Sequence, residues 1–514
     1  MMLLLLLPVA TGLMLAAAFP RMDQGWLAWI AWIPLILFVV RSNSRRAAFA
    51  GGWIAGVFGF FISLRWMPEV MLKYGGMHPI SAWAAYALLI FILACYPAAV
   101  CAGIRHLMFC RGRRMILLFP FAWVVMEFFQ SVTPIGGLPW LLAGYTQTRF
   151  LPAIQIADIT GIYGVSFLVL GVNTAIVWYV LRQRRGFAAY APLLSIGVLF
   201  AGALIYGQNV VSHMEKIDAR LRAALLQGNL SIDEPRSVLY EKFPQGYERM
   251  ADSLAADSVD ILVLPESPTP KIFSNDENYR HAMEALARRY PLGMVFGNTN
   301  TIQKADGTEV YFNSAFFLDR HGALTGIYDK IHLVPFGEYI PHKRVFFFAE
   351  TVSDEMGGFS AGKDFRILNL GEHPSNAVIC FEAAFPDLVR RFVNQGSQVI
   401  VNLVNDGWYG VSDAPYQHLA IARVRAVENR RYMLRAANSG ISAVIEPTGR
   451  IQTSTGLMQE DICQGRFAFL IGKTFYTRYG DVFVFLCAII CVGFCLGACT
   501  RRQMSASDNP VRPL

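Results

Sequence analysis

Uninterrupted apolar runs, each about as long as a bilayer is thick, constrain this chain more than any other feature. A spanning helix needs roughly 20 apolar residues, and seven such windows precede residue 207: 2–19, 26–40, 47–64, 81–104, 115–130, 159–181 and 187–206. An eighth lies at 481–499. The second run is short and needs its flanks to span. The first contains Ala16-Ala17-Ala18, a tract resembling a signal-peptide cleavage site, but no Lys or Arg precedes it as an n-region requires, so it reads as a retained helix. Composition agrees with a membrane protein. Hydrophobic residues make up 54% of the 514 and charged residues 16%, against roughly 25% charged in soluble chains. Mean hydropathy is +0.38. Disordered, coiled-coil, collagen-like and plain soluble folds are thereby excluded.

A net charge of +8 invites a nucleic-acid reading, yet the charges are distributed as membrane-orienting charges. Thirteen arginines sit in one alternating set of connections: Arg41, Arg45, Arg46, Arg105, Arg111, Arg113, Arg114, Arg182, Arg184, Arg185, Arg501, Arg502 and Arg512. The other short loops hold four basic residues, Arg21, Arg65, Lys73 and Arg149. The positive-inside rule makes the first set cytoplasmic. Both termini are then cytoplasmic and the long segment 207–480 is external, large enough for one α/β domain. The predicted domains are seven helices over 1–206, an external domain over 207–480, an eighth helix over 481–499 and a tail over 500–514.

Glu127 lies inside the fifth apolar run, where a carboxylate marks either function or an internal partner, unless it is hydrated near the outer interface. Pro134-Ile-Gly-Gly-Leu-Pro-Trp140 reads as a tight external turn with Trp140 at the interface. The nine cysteines form no disulfide framework and no metal-ligand spacing. Seven lie in or beside apolar runs, and only Cys380 and Cys463 fall in polar sequence.

Within 207–480 short β-rich runs, at 221–227, 259–265, 292–297, 310–318, 376–380, 398–403 and 442–446, alternate with amphipathic stretches at 277–290 and 415–431. Strands mixed with helices predict α/β layering around a central sheet. Three polar residues each end a strand: Glu266, Lys330 and Cys380. Strand ends are where α/β proteins put chemistry. A helix is predicted directly after Cys380, over Phe381–Phe385, so that its N-terminus and a nearby lysine favour the thiolate. Taken singly, a strand-terminal Glu reads equally as a solvated cap, and a Cys after Val-Ile as a small buried hydrophobe.

These three residues, in order and local context, resemble the Glu-Lys-Cys triad of the nitrilase superfamily, with Tyr328-Asp-Lys-Ile-His-Leu-Val-Pro-Phe-Gly-Glu-Tyr339 around the lysine. Combined with the apolar runs, the chain resembles the membrane-embedded apolipoprotein N-acyltransferase family. The resemblance extends through Glu127 to Tyr145, Gln227-Gly-Asn, Cys380-Phe-Glu382, Asn405-Asp-Gly-Trp-Tyr409, Gln417-His418 and Arg435-Ala-Ala-Asn-Ser-Gly440. It implies a polytopic α-helical membrane domain of eight transmembrane helices carrying an external nitrilase-like α-β-β-α sandwich, in a bacterial inner membrane with the catalytic domain periplasmic. It implies transfer of a fatty acyl chain from a membrane phospholipid to the α-amine of a diacylglyceryl-cysteine apolipoprotein, by a ping-pong route through a Cys acyl-thioester. Two positions depart from the family pattern. Arg236 stands near where a Trp is usual, and Phe381 stands where Tyr is usual.

That chemistry assigns roles. Cys380 is the nucleophile and Glu266 the base. Lys330 and the Phe381 N–H stabilise the oxyanion. Glu338 positions Lys330 or assists as a second carboxylate, the alternative being a buried partner of an Arg. Phe381, Glu382, Trp408, Tyr409 and Trp140 are expected to bind substrate or support the site. No metal, cofactor or nucleic acid is called for. Phe346-Phe347-Phe348 suits either a loop dipping into lipid or an aromatic core. Two rival readings share parts of the pattern. A membrane-tethered nitrilase-type amidase would keep the triad but needs one span, not eight. A lipid transporter or receptor with an inactive domain would not need the triad intact.

Overall fold

The computed structural model describes residues 2–133, 137–181, 187–231, 245–254, 259–267, 269–340 and 358–507, with Glu234 and Leu239 between them. Arg236, Pro134–Gly136, Arg182–Arg185 and Phe346–Phe348 therefore lie outside the described residues. The chain divides into two compact units: Met1–Arg65, Ala84–Gln208 and Asp481–Leu514 form one, Trp66–Trp83 and Asn209–Gly480 the other.

Five segments are long and apolar enough to cross a membrane: Arg45–Ser63, Pro79–Arg111, Arg113–Val132, Ile162–Val180 and Tyr190–Met214. Three further apolar helices are shorter, Leu4–Ala18, Gly25–Arg41 and Val482–Leu496. The run at 26–40 is not one regular helix, for a physical reason. Pro34 lacks an N–H and sits in the first turn of the helix Ile33–Arg41, while Ala28–Ala31 forms a separate turn before it. At the break, the Trp32 N–H donates to Asn173 Oδ1 at 3.0 Å, and Asn173 Nδ2 returns bonds to the Ala28 carbonyl at 2.9 Å and the Val169 carbonyl at 2.8 Å. Among apolar surroundings an unmet backbone group is costly, so one buried asparagine stabilises an irregular stretch of helix. The core around it stacks Phe119 on Trp123, which meets Trp32 edge-on.

Glu127 is buried, 2% exposed. Its Oε1 accepts from Trp123 Nε1 at 3.1 Å and from the Ala143 N–H at 2.7 Å, so the internal-partner alternative holds and the interfacial one does not. Trp140, expected at the interface, is likewise buried in this unit.

The second unit contains twelve strands among the described residues. They are β1 Leu221–Gln227, β2 Ile261–Val263, β3 Met294–Gln303, β4 Glu309–Leu318, β5 Leu324–Asp329, β6 Leu368–Leu370, β7 His373–Ile379, β8 Ile400–Val404, β9 Met433–Ala437, β10 Ala443–Ile445, β11 Ile451–Ser454 and β12 Asp461–Phe467. Two six-stranded sheets result, ordered β12-β1-β2-β3-β4-β5 and β11-β10-β9-β8-β7-β6. In each sheet two parallel pairings, β1-β2-β3 or β7-β8-β9, are continued by antiparallel ones. The same pairing pattern thus occurs twice. The sheets face each other, β1 towards β9 and β3 towards β8. β2, β8 and β9 are buried along their whole length, as parallel strands covered on both faces must be.

Helices cover the outer faces. Glu277–Ala287 starts where Asp276 accepts the Tyr279 N–H, and it packs Tyr279, Met283 and Leu286 onto Leu262, Leu264, Phe296 and Phe316 of the first sheet. Pro386–Asn394 and Ala414–Asn429 pack on each other and on the turn Cys380–Ala384 that follows β7 of the second sheet. The layering is helix, sheet, sheet, helix.

Candidate active site

Glu266, Lys330 and Cys380 follow the ends of β2, β5 and β7, and the fold brings all three together with Glu338. Lys330 is 1% exposed, so its ammonium needs partners that replace water. Its Nζ donates to Glu338 Oε1 at 2.8 Å and to Glu266 Oε1 at 3.3 Å. Burial opposes the charge, but the two carboxylates outweigh it and hold Lys330 well above its ordinary pKa. Asn313 Nδ2 bridges the same two oxygens at 2.7 Å to Glu266 and 2.9 Å to Glu338. The other oxygens are fixed by backbone: Glu266 Oε2 by the Asn405 N–H at 2.9 Å, Glu338 Oε2 by the Val334 N–H at 2.7 Å. Glu338 is therefore a partner of Lys330, not of an arginine.

Cys380 departs from the expectation at its backbone. No α-helix begins there. Cys380–Ala384 is a single 3-10 turn, and the α-helix starts only at Pro386, whose ring suits a first helical position. Cys380 itself takes φ of +49°, a conformation that costs a side-chain-bearing residue about 1–3 kcal/mol. The helix-terminus argument for a thiolate is thus lost. Burial first, then Glu266, push the Cys380 thiol well above its usual value, with Lys330 acting against them. The resting group is a thiol, and it must hand its proton to a base as it reacts.

Glu382 closes the turn. Its Oε1 accepts from Tyr328 Oη at 2.7 Å and from the N–H groups of Ile331 and His332 at 2.7 and 3.1 Å, while Oε2 accepts the Ile379 N–H at 2.8 Å. One buried carboxylate so ties the strand before Cys380 to the segment after Lys330; it is a scaffold. The His332 ring lies on Phe385 and beside Phe381, and burial, reinforced by Lys330, lowers its pKa to about 4.

Trp408 and Tyr409 lie in the turn after β8, beside Asn405 and Asp406. The segment Trp66–Trp83, which holds the short helix Met67–Lys73, packs on them: Trp66 meets Tyr409 and Tyr74 meets Trp408, ring centres 4.9 Å apart in both pairs. Tyr74 Oη also donates to the Gly407 carbonyl at 3.3 Å. Sequence reasoning had this segment as a plain connection. Trp140 belongs to the other unit.

Behind Cys380 lies a line of fully buried charges given no role by the sequence. Arg435 donates to Asp406 Oδ2 at 2.8 Å, Asp406 Oδ1 meets His418 Nδ1 at 2.9 Å, and His418 Nε2 meets the Cys380 carbonyl at 3.0 Å. Burial and then Arg435 press the His418 pKa down, while Asp406 and the carbonyl favour its charged form. Cys380, Asp406 and His418 are close enough to suggest a metal site, the one such grouping among the described residues. Both nitrogens of His418 and both oxygens of Asp406 already have partners, however. The donors serve hydrogen bonds. Cys463, the other cysteine in polar sequence, is buried and free, as is Cys380.

Two family models match the chain: apolipoprotein N-acyltransferase N-terminal domain over residues 11–175, and carbon-nitrogen hydrolase over residues 222–469. The apolipoprotein N-acyltransferase of Geobacter metallireducens is 37% identical over 497 residues, covering 94% of this chain and 92% of that one. That of Methylococcus capsulatus is 31% identical over 524 residues, covering 99% and 98%. Among solved structures, Nit3 of Saccharomyces cerevisiae, a member of the nitrilase superfamily, matches 48% of this chain and 89% of its own, at 19% identity and a TM-score of 0.37.

Proposed function

The chain belongs to the apolipoprotein N-acyltransferase family, an acyltransferase of lipoprotein maturation, and from that premise we propose how its residues carry the reaction. The acyl donor is a membrane phospholipid. Cys380 Sγ attacks the ester carbonyl while Glu266 takes the thiol proton. The negative charge that develops on the carbonyl oxygen is met by Lys330 Nζ and the Phe381 N–H. The intermediate collapses, and the lysophospholipid leaves with the proton from Glu266. In the second half the neutral α-amine of a diacylglyceryl-cysteine attacks the thioester, Glu266 accepts its proton, and Cys380 is released as the thiol when that proton returns to sulfur. Glu338 keeps Lys330 in place throughout. Trp408 and Tyr409, with Phe381, face the substrate side.

The observation that supports this reading most is the sealed Lys330, held between Glu266 and Glu338 beside a nucleophile that rests as a thiol. Such a site is dry, which strengthens the lysine field on the reacting carbonyl. We further propose eight spans, at the runs predicted above, in a bacterial inner membrane, with 207–480 periplasmic and both 1–206 and 481–499 membrane-embedded.

Intact-protein mass spectrometry after incubation with phospholipid vesicles tests the chemistry. An acyl adduct should appear on Cys380, be absent in Cys380→Ala and persist in Cys463→Ala. The adduct should be stable without acceptor, discharge on adding a diacylglyceryl-cysteine peptide with a free amine, and survive the N-acetylated peptide. Decay at one rate under all three conditions would show that water is the acceptor and the enzyme a hydrolase.

A further inference from the structure

We propose that His418 is a positioning residue that aims the oxyanion donor, acting through the backbone of the nucleophile. This rests on the roles given above to Cys380 and the Phe381 N–H. The peptide unit between them is planar and trans, so its carbonyl and its N–H point in opposite directions. His418 Nε2 holds the Cys380 carbonyl oxygen at 3.0 Å. Fixing that oxygen fixes the direction of the Phe381 N–H at the other end of the same plane.

The need for such a hold is visible at Cys380. Its φ of +49° persists only where the surroundings over-determine it. His418 supplies the hold and is itself immobilised. The ring is fully buried in the helix Ala414–Asn429, with Nδ1 on Asp406. Asp406 is anchored by Arg435, and Arg435 NH1 donates to Asn402 Oδ1 at 2.7 Å, in β8. Arg435 stands in β9. The oxyanion donor is thereby keyed to β8 and β9, the two central parallel strands of the second sheet, both fully buried. A donor on the carbonyl oxygen also polarises the amide and makes its N–H a better donor in turn. His418 has no spare nitrogen with which to act on substrate.

Two reactions of the same sulfur separate this role from others. Acylation by phospholipid builds an oxyanion; alkylation by iodoacetamide does not. In detergent-solubilised full-length protein, His418→Ala should form the acyl-thioester about 10²-fold more slowly, the size of effect seen when one oxyanion donor is removed. Its half-saturating phospholipid concentration in mixed micelles and its rate of Cys380 alkylation should stay at the wild-type values. His418→Gln, whose side-chain amide can still donate to the Cys380 carbonyl, should recover part of the acylation rate, and it stands in if His418→Ala fails to fold. Equal losses in acylation and alkylation would overturn the proposal, because His418 would then act on the sulfur or on the fold. So would an unchanged acylation rate, or a Gln variant that acylates no faster than the Ala variant. Absence of any acyl adduct in the wild type would instead defeat the thioester reading, and this proposal with it.

Discussion

A single buried ammonium carries most of the electrostatic strain at the site. Lys330 is acceptable in the interior because Glu266 and Glu338 flank it, and those two carboxylates are acceptable because Lys330 and Asn313 lie between them. Removing one member of such a set leaves uncompensated buried charge, at a cost of roughly 3–5 kcal/mol. Lys330→Met should therefore abolish acyl-adduct formation and also lower the denaturation midpoint. Lys330→Met combined with Glu338→Gln removes one of the two orphaned charges. That double variant should regain a substantial part of the stability and none of the activity. Chemical denaturation followed by tryptophan fluorescence, together with adduct mass spectrometry, measures both. A double variant no more stable than the single one would mean that the three groups do not act as one electrostatic unit. At this scale each of the three strand-terminal residues read singly as no more than a candidate, and only their resemblance in order and context to a known triad grouped them. Asn313 was not even a candidate: it lies inside β4, where a buried asparagine gives no signal until its two carboxylate partners are in view.

Individual strands set how closely these residues approach. Gly297 in β3 lies against the chain that follows β2. A Cβ there would stand 2.6 Å from Glu266 Cα, 2.8 Å from the Pro265 carbonyl oxygen and 2.9 Å from the Ser267 nitrogen. All three are backbone atoms and cannot turn aside. Gly297→Ala should push Glu266 out of line with Lys330 and cost about 1–3 kcal/mol, as overpacking does. Acylation should fall much further than stability. Wild-type acylation in this variant would show that the approach of β3 does not set the base. The seven β-rich runs read from the sequence are present, with boundaries shifted by a few residues, and β5 was read as the strand that Lys330 ends; β6, β9, β11 and β12 were not read. β9, Met-Leu-Arg-Ala-Ala, hides because Arg435 interrupts it, and a buried arginine becomes intelligible only once Asp406 and Asn402 are placed beside it. The helix expected after Cys380 failed for a local reason: Glu382 turns back to cap the Ile379 N–H, and the α-helix waits for Pro386. The twofold recurrence of the pairing pattern leaves no trace in the sequence, since sheet pairing constrains burial and not residue identity.

Over the whole chain, orientation decides whether the site can meet its substrate, and charge asymmetry is the lever that sets it. Thirteen arginines fall in one set of connections and four basic residues in the other short loops. Lys and Arg flanking apolar helices resist translocation, whereas long domains cross largely regardless of charge. On the proposed orientation, the segment between Gly207 and Gly480 follows the helix before it, whose basic end carries Arg182, Arg184 and Arg185. Five segments are long and apolar enough to cross unaided, and the proposed eight spans need all three shorter apolar helices to join them. An even number of crossings on either side of the segment 207–480 would reverse the assignment of one terminus. A reporter enzyme that needs disulfides folds only in an oxidising compartment. Fused after Gly207 it should be active; fused after Arg502 it should be inactive. Activity at both junctions would mean that the segment Val482–Leu496 does not cross, leaving seven spans. Inactivity after Gly207 would put Cys380 on the cytoplasmic face, away from lipoproteins that mature outside, and the proposed acceptor would have to be given up.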